Sequence, residues 1–254
     1  MISSIKQEFF KFVHQKSVWI MPLIILVLMI GTNFSLGYGE TKVLISQCYA
    51  AQYWILITLV IVGSTMFSME YQYNTILTLL YKSRSRMHVY FAKFVLVFAY
   101  DLFLHMWAIV WTFILKIILN SDNISWSDIY LYHEPIWRNM AHGVLLDIFS
   151  TMMIIGLIFV LSCLFSSNGV VITVTLLVFF MGNSFSADIL MSNHLVSIMK
   201  WNPLNMLNVV DQYFNYLSYH PVSQLSNFQL TYGTGVWIVV LFGVGYYIFE
   251  RRHF

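Results

Sequence analysis

The sequence predicts an all-α polytopic membrane protein with six membrane-crossing helices, and three observations carry that prediction. Of its 254 residues 59% are apolar and only 9% charged, with a mean hydropathy of +0.73. A soluble domain carries about 25% charged residues, so this chain has too few polar groups to cover a surface facing water. Six apolar runs are long enough to cross a bilayer, which takes about 20 residues at 1.5 Å of rise each. Lysine and arginine are also distributed unevenly between alternate flanks of those runs. Helices are the element to expect: in hydrocarbon every backbone N–H and C=O must be paired within its own segment, and the alternation of barrel strands is absent.

Taken in order, residues 1–17 place Ile5, Phe9, Phe12 and Val13 on one helical face, with Lys6, Lys11 and Lys16 on or near the other. That pattern predicts an interfacial helix along the inner leaflet, where the plainer alternative is a charged flank. The first span, about Val18–Leu36, is too long for a signal peptide and no A-x-A-like site follows it, so it is expected to be retained. The second span is about Tyr49–Phe67.

The segment 69–86 then interrupts the apolar pattern. Tyr73, Ile76, Leu77 and Leu80 follow i, i+3, i+4, i+7, and Glu70 stands where a carboxylate suits the start of a helix. Lys82, Arg84 and Arg86 restore positive charge before the third span, about Val89–Leu119. A short amphipathic helix with one apolar face suits a groove on another protein; positive flanking charge alone would not need that face.

The fourth span is about Val144–Phe165 and the fifth about Val170–Ile189, joined by the tight turn Ser166–Gly169. Residues 190–232 are apolar and aromatic but broken at Asn202-Pro203 and His220-Pro221. They predict broken, re-entrant or capping helices on the outer side, either a gate or an interfacial aromatic belt. The last span is about Gly235–Phe249.

Orientation follows from the cations. One set of flanks holds Lys6, Lys11, Lys16, Lys82, Arg84, Arg86, Lys93, Arg251 and Arg252; the other holds Lys42, Lys116, Arg138 and Lys200. Both termini are therefore expected in the cytoplasm, as an even number of spans allows. On that topology Cys48 and Cys163 lie about 30 Å apart, too far for a disulfide within one subunit. The net charge of +2 says little about partners, and no nucleic-acid partner is expected.

Several chemistries lack their motifs. Only Lys16-Ser17 and Lys82-Ser83 pair a lysine with a hydroxyl, and neither follows the glycines of a phosphate-binding loop. Gly182-Asn183-Ser184 offers a serine within a span, but the last span has no histidine to activate it. There is no H-E-x-x-H, and His142, His194 and His220 are scattered, so no catalytic or metal site is expected. Ionisable residues inside spans are costly and often functional. Asp101 and His105 are four apart on the third span, and Asp147 lies about two turns into the fourth. They are open to three interpretations: a proton relay, a polar substrate path, or a structural network in which His105 bonds Asp101 or Asp147.

The stretch SMEYQYNTILTLLYKSRSRMHVYFAKF resembles the corresponding segment of type-2 permeases of ATP-binding-cassette exporters. It has a glutamate (Glu70), threonine–hydrophobic (Thr75-Ile76), two leucines (Leu79-Leu80), a Ser-Arg step (Ser85-Arg86) and Ala-Lys opening the next span (Ala92-Lys93). Asn74 stands where the family often has glycine. The resemblance covers the whole chain as one permease domain, 1–254. It implies that 69–86 is a coupling helix, with Glu70, Tyr73, Ile76, Leu77, Leu80, Arg84 and Arg86 meeting a separate ATPase subunit. That partner would bind ATP and Mg, since this chain has no nucleotide-binding motif and is not itself an enzyme. It also implies a second permease chain, identical or not, and a location in the bacterial plasma membrane. Richness in Phe, Tyr and Met is similar to lantibiotic-immunity and phenol-soluble-modulin exporter permeases, which implies a peptide substrate. Drugs or lipid-linked glycans are alternative cargoes, and a non-transporting anchor or regulatory subunit is an alternative role.

Overall fold

The computed structural model describes residues 2–36, 41–72, 85–119, 124–192 and 196–252. Helices α1 (Ile2–Val13), α2 (Lys16–Leu36), α3 (Thr41–Ser46), α4 (Ala51–Gln72), α5 (Arg86–Leu119), α6 (Ile136–Leu164) and α7 (Asn168–Ser192) follow one another. Four short helices come next, α8 (Val196–Met199), α9 (Pro203–Met206), α10 (Val209–Phe214) and α11 (Tyr216–Ser223), and then α12 (Asn227–Arg251). Among the described residues there is no strand beyond one isolated bridge, Ile129 to Pro135. Among the described residues six segments are long and apolar enough to cross a bilayer: α2, the α3–α4 pair, α5, α6, α7 and α12. The protein is thus an all-α polytopic membrane protein, as its composition requires.

Two spans begin earlier than hydropathy suggests. α6 opens at Ile136 and α12 at Asn227, because the first turns of each carry polar residues that pack inward and lower the local hydropathy. Asn139 and Thr234 are fully buried there. α12 starts with a capping box, in which Ser226 Oγ accepts from Gln229 N at 3.3 Å and Gln229 Oε1 accepts from Ser226 N at 3.0 Å.

Pro22 lies inside α2. Proline has no N–H to give the carbonyl four residues back, and in a membrane that carbonyl needs another donor. Tyr100 of α5 supplies it, its hydroxyl donating to Val18 O at 2.9 Å, while Trp107 Nε1 donates to Pro22 O at 3.0 Å. The proline therefore fixes where α5 crosses α2. Between α3 and α4 the chain turns through Cys48, Tyr49 and Ala50, all with φ near +50°, a conformation that costs about 1–3 kcal/mol for such residues. Tyr49 N donates to Leu44 O at 2.7 Å and Thr32 Oγ1 donates to Tyr49 O at 2.7 Å, which hold the turn in place.

One end of the bundle collects α1, the start of α5 and the ends of α6 and α12. Arg86 Nη1 donates to the carbonyls of Glu250 and Arg252, and Arg252 Nη1 donates to those of Ser162 and Cys163. The opposite end holds α3, residues 124–135 and the short helices α8–α11. Cys48 and Cys163 are both buried and not joined in a disulfide, each toward its own end of the bundle.

α1 divides its apolar residues between the bundle and the outside, where a leaflet would cover them. Phe12 is buried against Tyr100, with ring centroids 5.1 Å apart, but Phe9 and Phe10 are 57% and 64% exposed. Glu8 turns inward instead, because an ion-pair partner waits there.

Small residues let α12 approach its neighbours closely. A Cβ on Gly245 would strike the Tyr90 hydroxyl and lie 3.4 Å from Val160 Cγ2. Tyr90 is itself fully buried, edge-on to Phe159 at 5.4 Å and tilted against Phe249 at 5.7 Å. Gly245→Ala is expected to cost about 1–3 kcal/mol by overpacking, measured as a lower unfolding midpoint in detergent. Adding Tyr90→Phe removes the obstructing oxygen and should recover part of the loss.

Candidate functional site

The sequence places two candidate regions in this chain, the segment joining α4 to α5 and the ionisable residues of α5 and α6. Of the first, α4 extends through Glu70 to Gln72 and α5 begins at Arg86. Glu70 therefore lies in the last turn of α4, not at the start of a separate helix. This corrects the dipole argument, since the C-terminal end of a helix is unfavourable for a carboxylate. Tyr73, Ile76, Leu77, Leu80 and Arg84 lie outside the described residues. Ser85 caps α5, its Oγ accepting from His88 N at 3.3 Å. Arg86 is held by the two carbonyls at the end of α12, so its guanidinium ties the chain's C-terminal helix to the connection.

Near the end of α4 and the start of α5 sits a buried ion pair between Lys93, which the sequence marks as a flanking cation and as part of the Ala-Lys step, and Glu8, which it does not single out. Lys93 Nζ donates to Glu8 Oε2 at 2.8 Å and to Met66 O at 3.0 Å, and Glu8 Oε1 accepts from Lys11 Nζ at 3.2 Å. The Lys93 and Glu8 side chains are 1% and 4% exposed. Burial pushes the Glu8 carboxyl up, but the Lys93 ammonium and then Lys11 outweigh it, and the group sits below its ordinary 4.5. The ammonium joins α1, the end of α4 and the start of α5 at one point.

The second region is brought together. His105 Nδ1 hydrogen-bonds the Asp101 carbonyl oxygen at 2.9 Å and lies 3.0 Å from Asp101 Oδ1, and its Nε2 hydrogen-bonds Asp147 Oδ2 at 3.0 Å. Thr151 Oγ1 donates to Asp101 Oδ2 at 2.8 Å. All four residues are buried. An imidazole between two carboxylates can bridge α5 to α6, and it can also move a proton between them. Among the described residues no three His, Cys, Asp or Glu side chains are grouped for a metal ion.

Two small cavities meet at Asp147. One is lined by the α3–α4 turn, Gln52, His105, Gly143, Asp147 and Phe214. The other is lined by Gln52, Tyr53, Asp147, Ser150, Phe179 and Asp211. Tyr53 donates its hydroxyl to Asp211 Oδ1 at 2.8 Å, which ties α10 to α4. Burial raises the Asp211 carboxyl above its ordinary range, the Tyr53 hydrogen bond opposing, with the Asp147 charge adding to the rise.

The short helices above are held by buried amides. Asn205 Nδ2 donates to the carbonyls of Lys200 at 2.7 Å and Ser223 at 2.9 Å, and Gln212 Nε2 donates to Leu225 O at 2.8 Å and Asn227 Oδ1 at 2.9 Å. Asn139 of α6 clasps the backbone of Leu131 from both sides, at 3.0 and 3.1 Å. Residues 196–226 thus pack across the end of the bundle through specific polar contacts.

Sequence reasoning missed Glu8, Gln52, Tyr53, Thr151 and Asp211 as members of these sites. Glu8 had one usable signal, a lone acid in a basic amphipathic segment. Tyr53 and Asp211 are 158 residues apart, and nothing local links them.

With this geometry in place, a protein-family model described as ABC-2 family transporter protein matches residues 4–183, more than two thirds of the chain. No curated protein matches it.

Proposed function

This chain belongs to the ABC-2 transporter family, and from that premise we propose that it is the membrane-spanning subunit of an exporter of amphipathic or hydrophobic peptides, toxin- or bacteriocin-like. A separate ATP-binding-cassette ATPase, holding ATP and Mg, supplies the energy. The segment 69–86 is the handle that this ATPase grips, and both termini lie on its side of the bacterial plasma membrane. Two such chains pair, and cargo leaves along the path they enclose.

The observation that carries this reading is the family match, which runs through α1 and the whole α4–α5 connection. Supporting it, α4 ends and α5 begins at the end of the bundle where Lys93, Arg86 and Arg252 gather. A chain with 21 Phe and 14 Met residues can present an adaptable apolar lining to greasy cargo.

The test is to co-express the chain with the ATPase of the neighbouring reading frame and reconstitute both in vesicles with a peptide panel. Co-elution and ATP-dependent peptide movement are expected. Glu70→Ala with Arg84→Glu is expected to bring transport to background while ATP hydrolysis continues. Arg86 is kept intact because it also holds the C-terminal helix. Unchanged transport in that variant removes the coupling role. Failure to bind any ATPase favours the anchor alternative.

A further inference from the structure

The two cavities that meet at Asp147 each have room for about one water. On one side Asp147 Oδ2 is bonded to His105 Nε2 at 3.0 Å, and His105 Nδ1 lies 3.0 Å from Asp101 Oδ1. On the other side the second cavity brings Asp211 of α10 to the same space as Asp147. Asp211 is partly exposed, whereas Asp101 is fully buried. Groups able to carry a proton therefore run from the end of the bundle that holds the short helices into its middle, with the cavity standing between Asp211 and Asp147.

The walls call for water in that gap. Gln52 is only 9% exposed and lines both cavities. Its amide nitrogen carries two N–H donors. The Tyr53 hydroxyl beside it engages at most one of them, so at least one is left for an oxygen in the cavity. Ser150, 3% exposed, adds a hydroxyl to the second cavity. A water oxygen accepts from the amide, and the water's own hydrogens serve the carboxylates.

Charge favours a proton there too. The titratable groups facing this space are Asp147, His105, Cys48, Tyr53 and Asp211, with Asp101 behind His105 and Tyr219 near Asp211. Neither lining includes a lysine or arginine, α7 adds only Phe179, and α12 adds nothing. Two carboxylates sharing a site away from bulk water are costly to ionise together.

We propose that the cavities at Asp147 hold water, and that this water completes a proton-exchange path from Asp211 to His105. The Asp211 carboxyl gives its proton to the water as the water gives another to Asp147, which leaves Asp211 ionised and the water unchanged. Asp147 then protonates His105 at Nε2 while Nδ1 releases a proton to Asp101, so the imidazole ends neutral. Among the described residues the bonds run on only to Thr151, which donates to Asp101 Oδ2 and to Ile148 O. A proton taken up at Asp211 is therefore stored at Asp101 and returns the same way. This path stands whether or not the chain exports peptides.

The test is hydrogen exchange at the His105 ring in the purified full-length chain in nanodiscs, without any ATPase. Nitrogen NMR of the histidine-labelled chain follows the ring proton after transfer to D2O, with the fully buried Leu104 amide as the reference for local opening. The ring is expected to exchange faster than that amide. Asp211→Asn keeps an oxygen for the Tyr53 hydroxyl, so α10 stays in place while the titrating group is lost. Ser150→Val puts a methyl group into the second cavity. Each variant is expected to slow ring exchange about tenfold or more and to leave the Leu104 amide unchanged, which a mere loosening of the helices would not do. Ring exchange no faster than the amide, or undiminished in both variants, overturns the proposal.

Discussion

Lys93→Met is expected to destabilise the protein by about 2–4 kcal/mol, because it leaves the Glu8 carboxylate, in a site only 4% exposed, with the half-exposed Lys11 as its remaining cation. Few single changes cost so much, and total stabilities are only about 5–15 kcal/mol, so the variant should lose a large share of its folded fraction. The side chains are close in volume, so the effect reports charge more than packing. Glu8→Met combined with Lys93→Met is expected to restore most of the loss, since a buried ion pair replaced by apolar groups is often neutral or better. Unfolding midpoints in detergent distinguish these outcomes. A single variant as stable as the double would show that the pair contributes nothing.

Acid offers an independent check on the same contact. The folded-state pKa of Glu8 is depressed, so its contribution is fully present above the ordinary value of 4.5 and is lost as pH falls through the lower folded value. The stability difference between the native chain and the double variant should therefore be flat above about pH 4.5 and change only below it. A difference that changed between neutral pH and that point would implicate another group.

The second large effect is expected at His105. Its ring stands between Asp101 and Asp147 at 3.0 Å from each, and His105→Leu leaves both carboxylates buried without it. The loss is expected to reach about 3–5 kcal/mol, read as failure to accumulate folded protein in membranes. Converting Asp101 and Asp147 to leucine as well removes the stranded charges. Thr151 then keeps its bond to Ile148 O at 2.9 Å, so the triple variant should fold. Transport by the folded triple variant separates the roles left open by the sequence. Normal transport marks the cluster as a helix brace, and lost transport marks it as part of the cargo or proton path.

The residues that were legible in the sequence were those whose neighbours lie close along the chain. Asp101 and His105 are one helical turn apart, so their partnership could be anticipated from spacing. The third member, Asp147, was marked only by its cost in hydrocarbon. Glu70 was misassigned because hydropathy falls near Phe67 while the helix continues to Gln72; the end of an apolar run need not be the end of a helix. Arg86 and Lys93 carried the positive-inside signal, but a count of charges cannot tell a solvated flank from a cation bonded to the backbone of α12 or to Glu8.

By itself the sequence determined the class of fold and the six segments long enough to cross a bilayer, because these follow from how many apolar residues a bilayer requires. Only the tertiary structure decided which polar groups meet: Pro22 with Trp107, Glu8 with Lys93, Tyr53 with Asp211. In hydrocarbon a buried polar group must find its partner wherever the packed helices bring one, and that meeting depends on how the helices rotate and cross, which no local pattern along a single strand of residues encodes.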